Sequence, residues 1–251
     1  MSQHYTDGTY WDQRKGFRSD YKVPLVLAAM KQAGVRLQDS TRILEVGCGN
    51  GSFLWPFSEA LAQEGIRPHL EGIDIAENAI QEARGSCGAN PPEFLCKTLD
   101  EHDSKYDVAL LVDVVEHVPC PVDFLNSLRR LAPLLFLHLP IEHSLLHLFA
   151  KRPTASYRRY RHIHFYSLET ARILIEDAGW RIRGIRYSAA DAATLTLPAP
   201  RWLQVGRYAR YLAYNTAPRL TTICAGGSVT FICDNAEGQD SAIQAAGSLP
   251  S

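Results

Sequence analysis

The sequence lacks several features that mark particular classes of protein. None of its six cysteines belongs to a C-x-x-C pair, which argues against a zinc ribbon and a thioredoxin-type redox site. No apolar run approaches the roughly 20 residues of a membrane span, and the start shows no secretory signal pattern. We therefore predict a chain with reduced cysteines and no membrane span, located in the cytoplasm.

A strong net charge is also missing. The 251 residues carry a formal net charge of -1, so bulk attraction to nucleic acid or to an anionic membrane is not expected. An anionic substrate would need a local basic patch, and a run with interleaved tyrosines is a candidate. This run fits either a solvated loop or a site for an anionic substrate. Its members are Lys151, Arg152, Tyr157, Arg158, Arg159, Tyr160 and Arg161.

Strand and helix patterns alternate along the first part of the chain. A buried strand at residues 42–46 ends at glycines, and Tyr106–Val112 has the composition of a strand covered on both faces. The alternation predicts an α/β fold with a parallel sheet. Seven strands are predicted, at residues 42–46, 69–73, 93–96, 106–112, 134–139, 180–187 and 228–233.

A glycine-rich loop, Glu45–Gly51, follows the first strand, and Asp74 ends the second strand. Glycines allow a sharp turn and close approach of a ligand, and a carboxylate after the second strand suits ribose hydroxyls. The spacing is G-x-G-x-G, whereas dinucleotide sites have G-x-G-x-x-G. Glu45 suits a cationic ligand that bears an amino acid, which favours S-adenosylmethionine (SAM) over a dinucleotide. A tight turn without a ligand is the alternative.

Four segments resemble motifs of the class I SAM-dependent methyltransferases, and specifically of their small-molecule branch, which includes the ubiquinone-type O-methyltransferases. The segments are Ile43–Gly51, Glu71–Ile75, Tyr106–Val118, and His162–Ser167 with the later Ala178–Trp180. The resemblance covers roughly residues 40–187. It implies a Rossmann-like, seven-stranded, mostly parallel sheet with helices on both faces and an antiparallel last strand.

The resemblance also implies which residues bind SAM. Glu45 would face the methionine ammonium, Asp74 would hold the ribose, Ile75 would touch adenine, and Thr98 would lie near the adenine amine. The implied cofactor-binding residues are Glu45, Gly47, Cys48, Gly49, Gly51, Asp74, Ile75, Thr98, Leu99 and Asp113.

Candidate catalytic residues follow the fourth predicted strand and lie in the histidine-rich segment. Asp113, Glu116 and His117 stand where α/β sheets bind ligands, and His162 or His164 could join them. We predict metal-free general-base catalysis by His117 or His162, with Glu116 beside them. The alternatives are a divalent-cation site, which would resemble that of plant small-RNA 2′-O-methyltransferases, and a structural role for His117 as the cap of a helix beginning near Val118.

We predict a single methyltransferase domain that transfers a methyl group from SAM to a small-molecule hydroxyl. A homodimer stays open, and no nucleic-acid partner is expected. An NAD(P)-dependent oxidoreductase and a non-catalytic SAM-fold partner protein are the alternatives from other classes. The predicted parts are an N-terminal lid and helix at 1–40, a SAM-binding core at 41–139, an inserted cap loop at 140–166, the rest of the sheet at 167–235, and a disordered tail at 236–251. We expect Tyr10, Trp11 and Phe17 to close over the site together with the cap loop.

Overall fold

The computed structural model describes residues 19–86, 88, 91–101, 104–149, 152–188 and 200–235. The predicted lid residues Tyr10, Trp11 and Phe17, and the predicted tail at 236–251, lie outside the described residues. The division of residues 1–235 into a lid, a core, a cap and a final part of the sheet stays a prediction.

One sheet organises the described residues. Its strands are β1 Arg42–Val46, β2 His69–Asp74, β3 Glu93–Cys96, β4 Val108–Val112, β5 Leu134–Ile141, β6 Trp180–Ser188 and β7 Gly227–Asn235. Their order is β3-β2-β1-β4-β5-β7-β6, and β7 is antiparallel to both of its neighbours while β1 to β5 pair in parallel. The fold class predicted from the sequence is confirmed.

Helices cover both faces of the sheet. Their bounds are α1 Val23–Gln32, α2 Leu54–Gln63, α3 Glu77–Gly85, α4 Pro121–Leu128, α5 Leu145–Phe149, α6 Arg152–Tyr160, α7 Leu168–Asp177, α8 Arg201–Thr216 and α9 Pro218–Ala225. Helices α1, α2 and α3 pack on one face, and α4 and α7 pack on the other. Short 3₁₀ helices lie at Asp20–Lys22, Leu99–Glu101 and Val115–His117.

Helix α7 shows how local sequence sets these elements. Ser167 accepts a hydrogen bond from the Thr170 amide, and the Thr170 side chain accepts one from the Ser167 amide, so the helix begins with a reciprocal cap. Buried residues then recur every three or four positions, which is the period of a helix with one face on the core. Gly179 follows the helix with a φ of 81°, a conformation that favours glycine.

The predicted cap loop contains two helices, α5 and α6, so its description as a loop is wrong. Pro153 lies in the first turn of α6, where the missing amide hydrogen of proline costs no hydrogen bond. The segment returns to the sheet through a bridge between Ile141 and Tyr166. It is thereby held next to the carboxyl end of β5.

The carboxyl ends of β1, β2, β4 and β5 carry most of the predicted site. They lead into the glycine loop, Asp74, Asp113 and Glu142 respectively. Among the described helices, none combines the length and the apolar composition that crossing a bilayer requires.

Trp180 is the element of the core that we select for a stability test. Its side chain is 2% exposed and its indole nitrogen donates to the Leu125 carbonyl at 2.7 Å. We expect Trp180→Phe to lower the free energy of unfolding by roughly 2–4 kcal/mol, because that carbonyl loses its donor and the smaller ring leaves a gap. Trp202→Phe is the matched control, since Trp202 is 75% exposed. Equal denaturation midpoints for the two variants in circular dichroism would contradict the expectation.

Candidate active site

The glycine loop turns sharply at the end of β1. Gly47 has a φ of 76° and Gly51 a φ of 72°. A Cβ atom on Gly47 would stand 2.6 Å from the side chain of Val114, and one on Gly51 would stand 2.9 Å from that of Phe94. Both glycines are therefore required by backbone conformation and by packing, and the loop is held close to the sheet.

Asp74 joins this loop to the end of β2. Its Oδ2 atom accepts from the Gly49 amide at 2.8 Å, and its Oδ1 atom accepts from the Ala76 amide at 2.9 Å. Burial raises the pKa of Asp74, and the backbone amides act against that rise. Each carboxylate oxygen has a second lone pair, so the group can still accept hydrogen bonds from a diol.

Glu45 is a buried carboxyl group, and one of its oxygens lacks a hydrogen-bond partner among the described residues. The residue is 2% exposed, and within the described residues its Oε2 atom has no hydrogen-bond partner. Burial and the nearby Asp74 raise the pKa of Glu45 to about 8. A buried, unpaired acid is unfavourable unless a cation or a donor completes it. Glu45 therefore fits a site for the ammonium group of a ligand.

Lys22 enters the site from the 3₁₀ helix before α1. It is 2% exposed and forms an ion pair with Asp113. Burial acts to raise the pKa of Asp113, but Lys22, with smaller contributions from His138 and His162, holds that pKa below its usual range. The structure places Asp113 against Lys22, and its predicted role in binding the cofactor stays a prediction. The sequence analysis missed Lys22, because a single lysine before an apolar helix is an ordinary pattern.

Glu116 lies deeper in the same region. It is fully buried, and within the described residues neither of its carboxyl oxygens has a hydrogen-bond partner. Burial, and then Asp113, raise the pKa of Glu116 well above its usual range. Its backbone carbonyl accepts from the amides of Ile163 at 2.9 Å and His164 at 3.1 Å, which fixes the end of the cap against the core.

His162 faces Glu116 and is oriented from its other side. Its Nε2 atom is 3.9 Å from Glu116 Oε1, while its Nδ1 atom is 2.6 Å from Glu142 Oε2. Ser156, on α6, donates to the other oxygen of Glu142. The ring of Tyr160 stacks on His162 with centroids 5.4 Å apart. The imidazole is thus enclosed, with one nitrogen occupied and the other directed to Glu116.

His117 stands beside this pair. Its ring centroid is 4.8 Å from that of His162, with the rings nearly perpendicular. Its Nδ1 atom is 3.3 Å from the Arg161 carbonyl. One ligand atom each from Glu116, His117 and His162 lie within 4.8 Å of one another, a spacing that suits a metal ion. The alternative role of His117, as the cap of a helix beginning near Val118, is wrong, since α4 begins at Pro121 and His117 ends a 3₁₀ helix.

Comparison with known proteins assigns the chain to a family. A family model described as a methyltransferase domain matches residues 17–184. The chain belongs to this family. The predicted membership of the SAM-dependent methyltransferases, and with it SAM as the cofactor, is confirmed. The unpaired Glu45 and the lone pairs of Asp74 fit a ligand with an ammonium group and a ribose.

Curated relatives of this methyltransferase match part of its length. The ubiquinone biosynthesis O-methyltransferase of Leptothrix cholodnii is 32% identical over 130 residues, which are 49% of this chain and 52% of that protein. The protein of the same name from Bordetella avium is 32% identical over 128 residues, 48% of each chain. The methyltransferase thus spans about half the length of the curated relatives it matches.

Solved structures share the fold over nearly the whole chain. The magnesium protoporphyrin IX methyltransferase of Synechocystis, solved with S-adenosylhomocysteine, is 18% identical with a TM-score of 0.60, and the match covers 92% of this chain and 96% of that one. A cyclopropane synthase of Mycobacterium tuberculosis is 15% identical with a TM-score of 0.58, covering 85% and 83%. At these identities the likeness concerns the fold alone.

The structure gives the surroundings of several other residues that were predicted to bind the cofactor. The side chain of Leu99 packs in the core, and its carbonyl accepts from Arg130 at 2.7 Å. Cys48 is buried against Gly72, which leaves its backbone as the part that can face a ligand. Thr98 and Ile75 are half-buried at the ends of β3 and β2. Their predicted contacts with adenine stay predictions.

Two other histidines, His138 and His164, form hydrogen bonds within the fold. His138 is buried in β5, hydrogen-bonded to Thr230 at 2.9 Å, and burial lowers its pKa to about 4. His164 Nε2 is 3.0 Å from the Val118 carbonyl. Glu142 was missed by the sequence analysis, although it follows β5 directly at the same edge of the sheet as Asp113. Asp113 was singled out because it follows a strand at the edge where α/β sheets bind ligands, and the same criterion would have found Glu142.

The state of Glu45 generates a prediction about proton release. At neutral pH a carboxyl group with a pKa of about 8 is mostly protonated, and an ammonium ligand would ionise it, so binding should release about one proton. Titration calorimetry of S-adenosylhomocysteine in buffers of different ionisation enthalpy measures this number. We expect Glu45→Gln to abolish the release and to weaken binding by roughly 1–3 kcal/mol.

The same group makes the stability of the free protein depend on pH. Because the folded pKa lies above the unfolded one, stability should fall as pH rises from about 4.5 to about 8. Glu45→Gln should remove this part of the fall, whereas Glu169→Gln, whose side chain is 61% exposed, should not. Unchanged proton release in Glu45→Gln would show that Glu45 does not meet the ligand.

Proposed function

We propose that this protein transfers the methyl group of SAM to a hydroxyl group of a small biosynthetic molecule. The observation that carries the proposal is the group formed by Glu142, His162 and Glu116, in which one imidazole nitrogen is held and the other is directed inward. The names of the matched relatives support O-methylation. Family membership leaves the alternative of an NAD(P)-dependent oxidoreductase without support.

The cofactor half of the proposal rests on Glu45 and Asp74. Glu45 pairs with the methionine ammonium, and Asp74 accepts hydrogen bonds from the ribose hydroxyls. SAM supplies an electrophilic methyl group on a sulfonium when it is bound. The protein has little to add to that chemistry beyond aligning the acceptor and removing its proton.

His162 is the proposed general base. As the acceptor oxygen takes the methyl group, its hydroxyl proton passes to His162 Nε2, and S-adenosylhomocysteine and the methylated ether leave. The Nδ1 hydrogen donates to Glu142, which fixes the tautomer that leaves Nε2 able to accept. Burial, followed by Asp113, raises the pKa of Glu116, and a protonated carboxyl group there could donate a hydrogen bond toward the same place.

A divalent cation is a second candidate for activating the hydroxyl. The spacing of Glu116, His117 and His162 favours it, since a carboxylate and two imidazoles suit a borderline cation. A cation would lower the pKa of the acceptor hydroxyl directly. Asp113, which the sequence analysis had offered as a further ligand, is held by Lys22. We therefore favour the metal-free mechanism.

Substitution of His162 tests the mechanism. We expect His162→Ala to lower kcat by roughly 10²–10⁴ with the affinity for S-adenosylhomocysteine nearly unchanged, because the base is lost while the cofactor site is intact. Activity is measured as product formed from labelled SAM in a screen of phenolic and other hydroxyl-bearing acceptors. His143→Ala, an exposed histidine of the same segment, is the control. Activity that is lost in EDTA and restored by Mg²⁺ or Mn²⁺ would contradict the metal-free mechanism. Full activity of His162→Ala would show that His162 is not the general base.

Glu142 gives a separate prediction, as a positioning residue. We expect Glu142→Leu to lower kcat by roughly 10–100-fold with little change in KM, since a base in the wrong tautomer cannot accept the proton. Nitrogen-15 NMR of the imidazole should show one dominant neutral tautomer in the parent protein and a mixture in the variant. Glu142→Gln, whose amide oxygen can still accept from Nδ1, should restore part of kcat. A parent-like kcat and tautomer in Glu142→Leu would contradict this role.

The acceptor itself, an anionic character of the acceptor, a homodimer and a cytoplasmic location stay predictions. So does the closing of an N-terminal lid over the site.

A further inference from the structure

The outer side of the cap and of the last two helices carries an unusual amount of exposed apolar surface. In α5, Leu145, Leu146 and Leu148 are 58%, 54% and 51% exposed, and Phe149 is 87% exposed. Leu220, in α9, is 63% exposed. Isolated exposed apolar residues are common, but a concentration of them on adjoining elements marks an interaction surface. Helix α9 contacts both α5 and α8, and α5 contacts α6, so these elements adjoin one another.

Helix α8 has its apolar face directed outward. Trp202, Val205 and Leu212 are 75%, 68% and 63% exposed, and Tyr208 is 54% exposed. Their spacing of three, three and four residues places them on one side of the helix. Tyr214, on the opposite side, is the buried member of the helix. A surface helix of a globular protein normally shows the reverse arrangement.

The charges on these elements have one sign. Residues 143–168 contain five Lys and Arg residues and no Asp or Glu, and residues 192–233 contain four Arg residues and no Asp or Glu. This is a strong local excess in a chain whose net charge is -1. Arg158, Arg159 and Arg201 are exposed, and Arg219 reaches the exposed Glu169 of α7 at 3.3 Å.

We infer that this surface, formed by α5, α6, α8 and α9, docks on the headgroups of an anionic phospholipid bilayer. Leucine, phenylalanine and tryptophan side chains enter the boundary between headgroups and acyl chains, while arginines meet the anionic headgroups. Charge complementarity selects the partner: a second copy of the chain would bring like charges together, and RNA would not use four exposed aliphatic and aromatic residues of α5. The binding is peripheral, and the inference does not depend on the proposed function.

Sedimentation of the full chain with phospholipid vesicles tests the inference. We expect binding to vesicles of phosphatidylcholine mixed with phosphatidylglycerol, weak or no binding to phosphatidylcholine alone, and loss of binding as salt rises. Tryptophan emission should shift to shorter wavelength on binding, and the shift should be missing in Trp202→Phe. Equal binding to both kinds of vesicle, or binding to neither at low salt, would overturn the inference.

Two sets of variants with matched controls locate the surface. Trp202→Ser and Leu212→Ser should each weaken binding about tenfold, from lost apolar burial, whereas Ile173→Ser should not. Ile173 is 60% exposed but shares its helix with Glu169, Glu176 and Asp177.

Arg158→Gln with Arg159→Gln should weaken binding about 25-fold, at about fivefold for each arginine. Arg36→Gln, at an exposed arginine outside these four helices, should leave it unchanged.

Other occupants of the surface give different results, and each would overturn the inference. A homodimer that dissociates in Trp202→Ser and does not bind vesicles would make the surface a subunit interface. Displacement from vesicles by an RNA homopolymer with tighter binding to that RNA would make the partner a nucleic acid. Protection of Trp202 emission from iodide in the free protein would show that the chain itself covers the surface. Circular dichroism of every variant separates loss of binding from loss of the fold.

Discussion

Acidic side chains converge at the carboxyl edge of the sheet, and their charges constrain everything around them. Four acids lie at or just after the carboxyl ends of three neighbouring strands: Glu45, Asp74, Asp113 and Glu116. Lys22 lies among them and pairs with Asp113. Carboxylates so close together in a poorly solvated place cannot all be ionised. Lys22 keeps Asp113 charged, while Glu45 and Glu116 have raised pKa values. The site of the free protein therefore favours binding of a cation, and a sulfonium ligand with an ammonium group is such a cation.

This constraint separates the two halves of the site. Glu45 and Asp74 lie beside the glycine loop, where backbone amides and lone pairs are ready for a ligand. Glu116 has His162 as its neighbour, and burial, followed by Asp113, raises its pKa. Asp113, which pairs with Lys22, has a φ of 54°, a backbone conformation that non-glycine residues rarely adopt.

The core strands could be predicted from the sequence because their apolar runs are long and end at glycine or acid. β3 was predicted with its observed bounds, and β1 likewise. The cap helices could not be predicted, since arginine, histidine and tyrosine give no apolar period. Lys22 was missed because its importance comes from burial against distant residues, and sequence spacing carries no record of burial. Glu142 was missed although it follows β5 directly, as Asp113 follows β4. The side chain of Leu99 packs in the core, and its predicted contact with the cofactor stays a prediction.

Helix α6 connects the catalytic group to the outer surface. Its inward side carries Ser156, which holds Glu142, and Tyr160, which stacks on His162. Its outward side carries Arg158 and the half-exposed Tyr157. If binding to a bilayer shifted α6, Glu142 would shift with it, because Ser156 of α6 donates a hydrogen bond to Glu142 at the end of β5. Glu142 in turn orients His162. Docking and catalysis would then be coupled through one helix, and an acceptor dissolved in the membrane would reach the site at the place where the base is oriented.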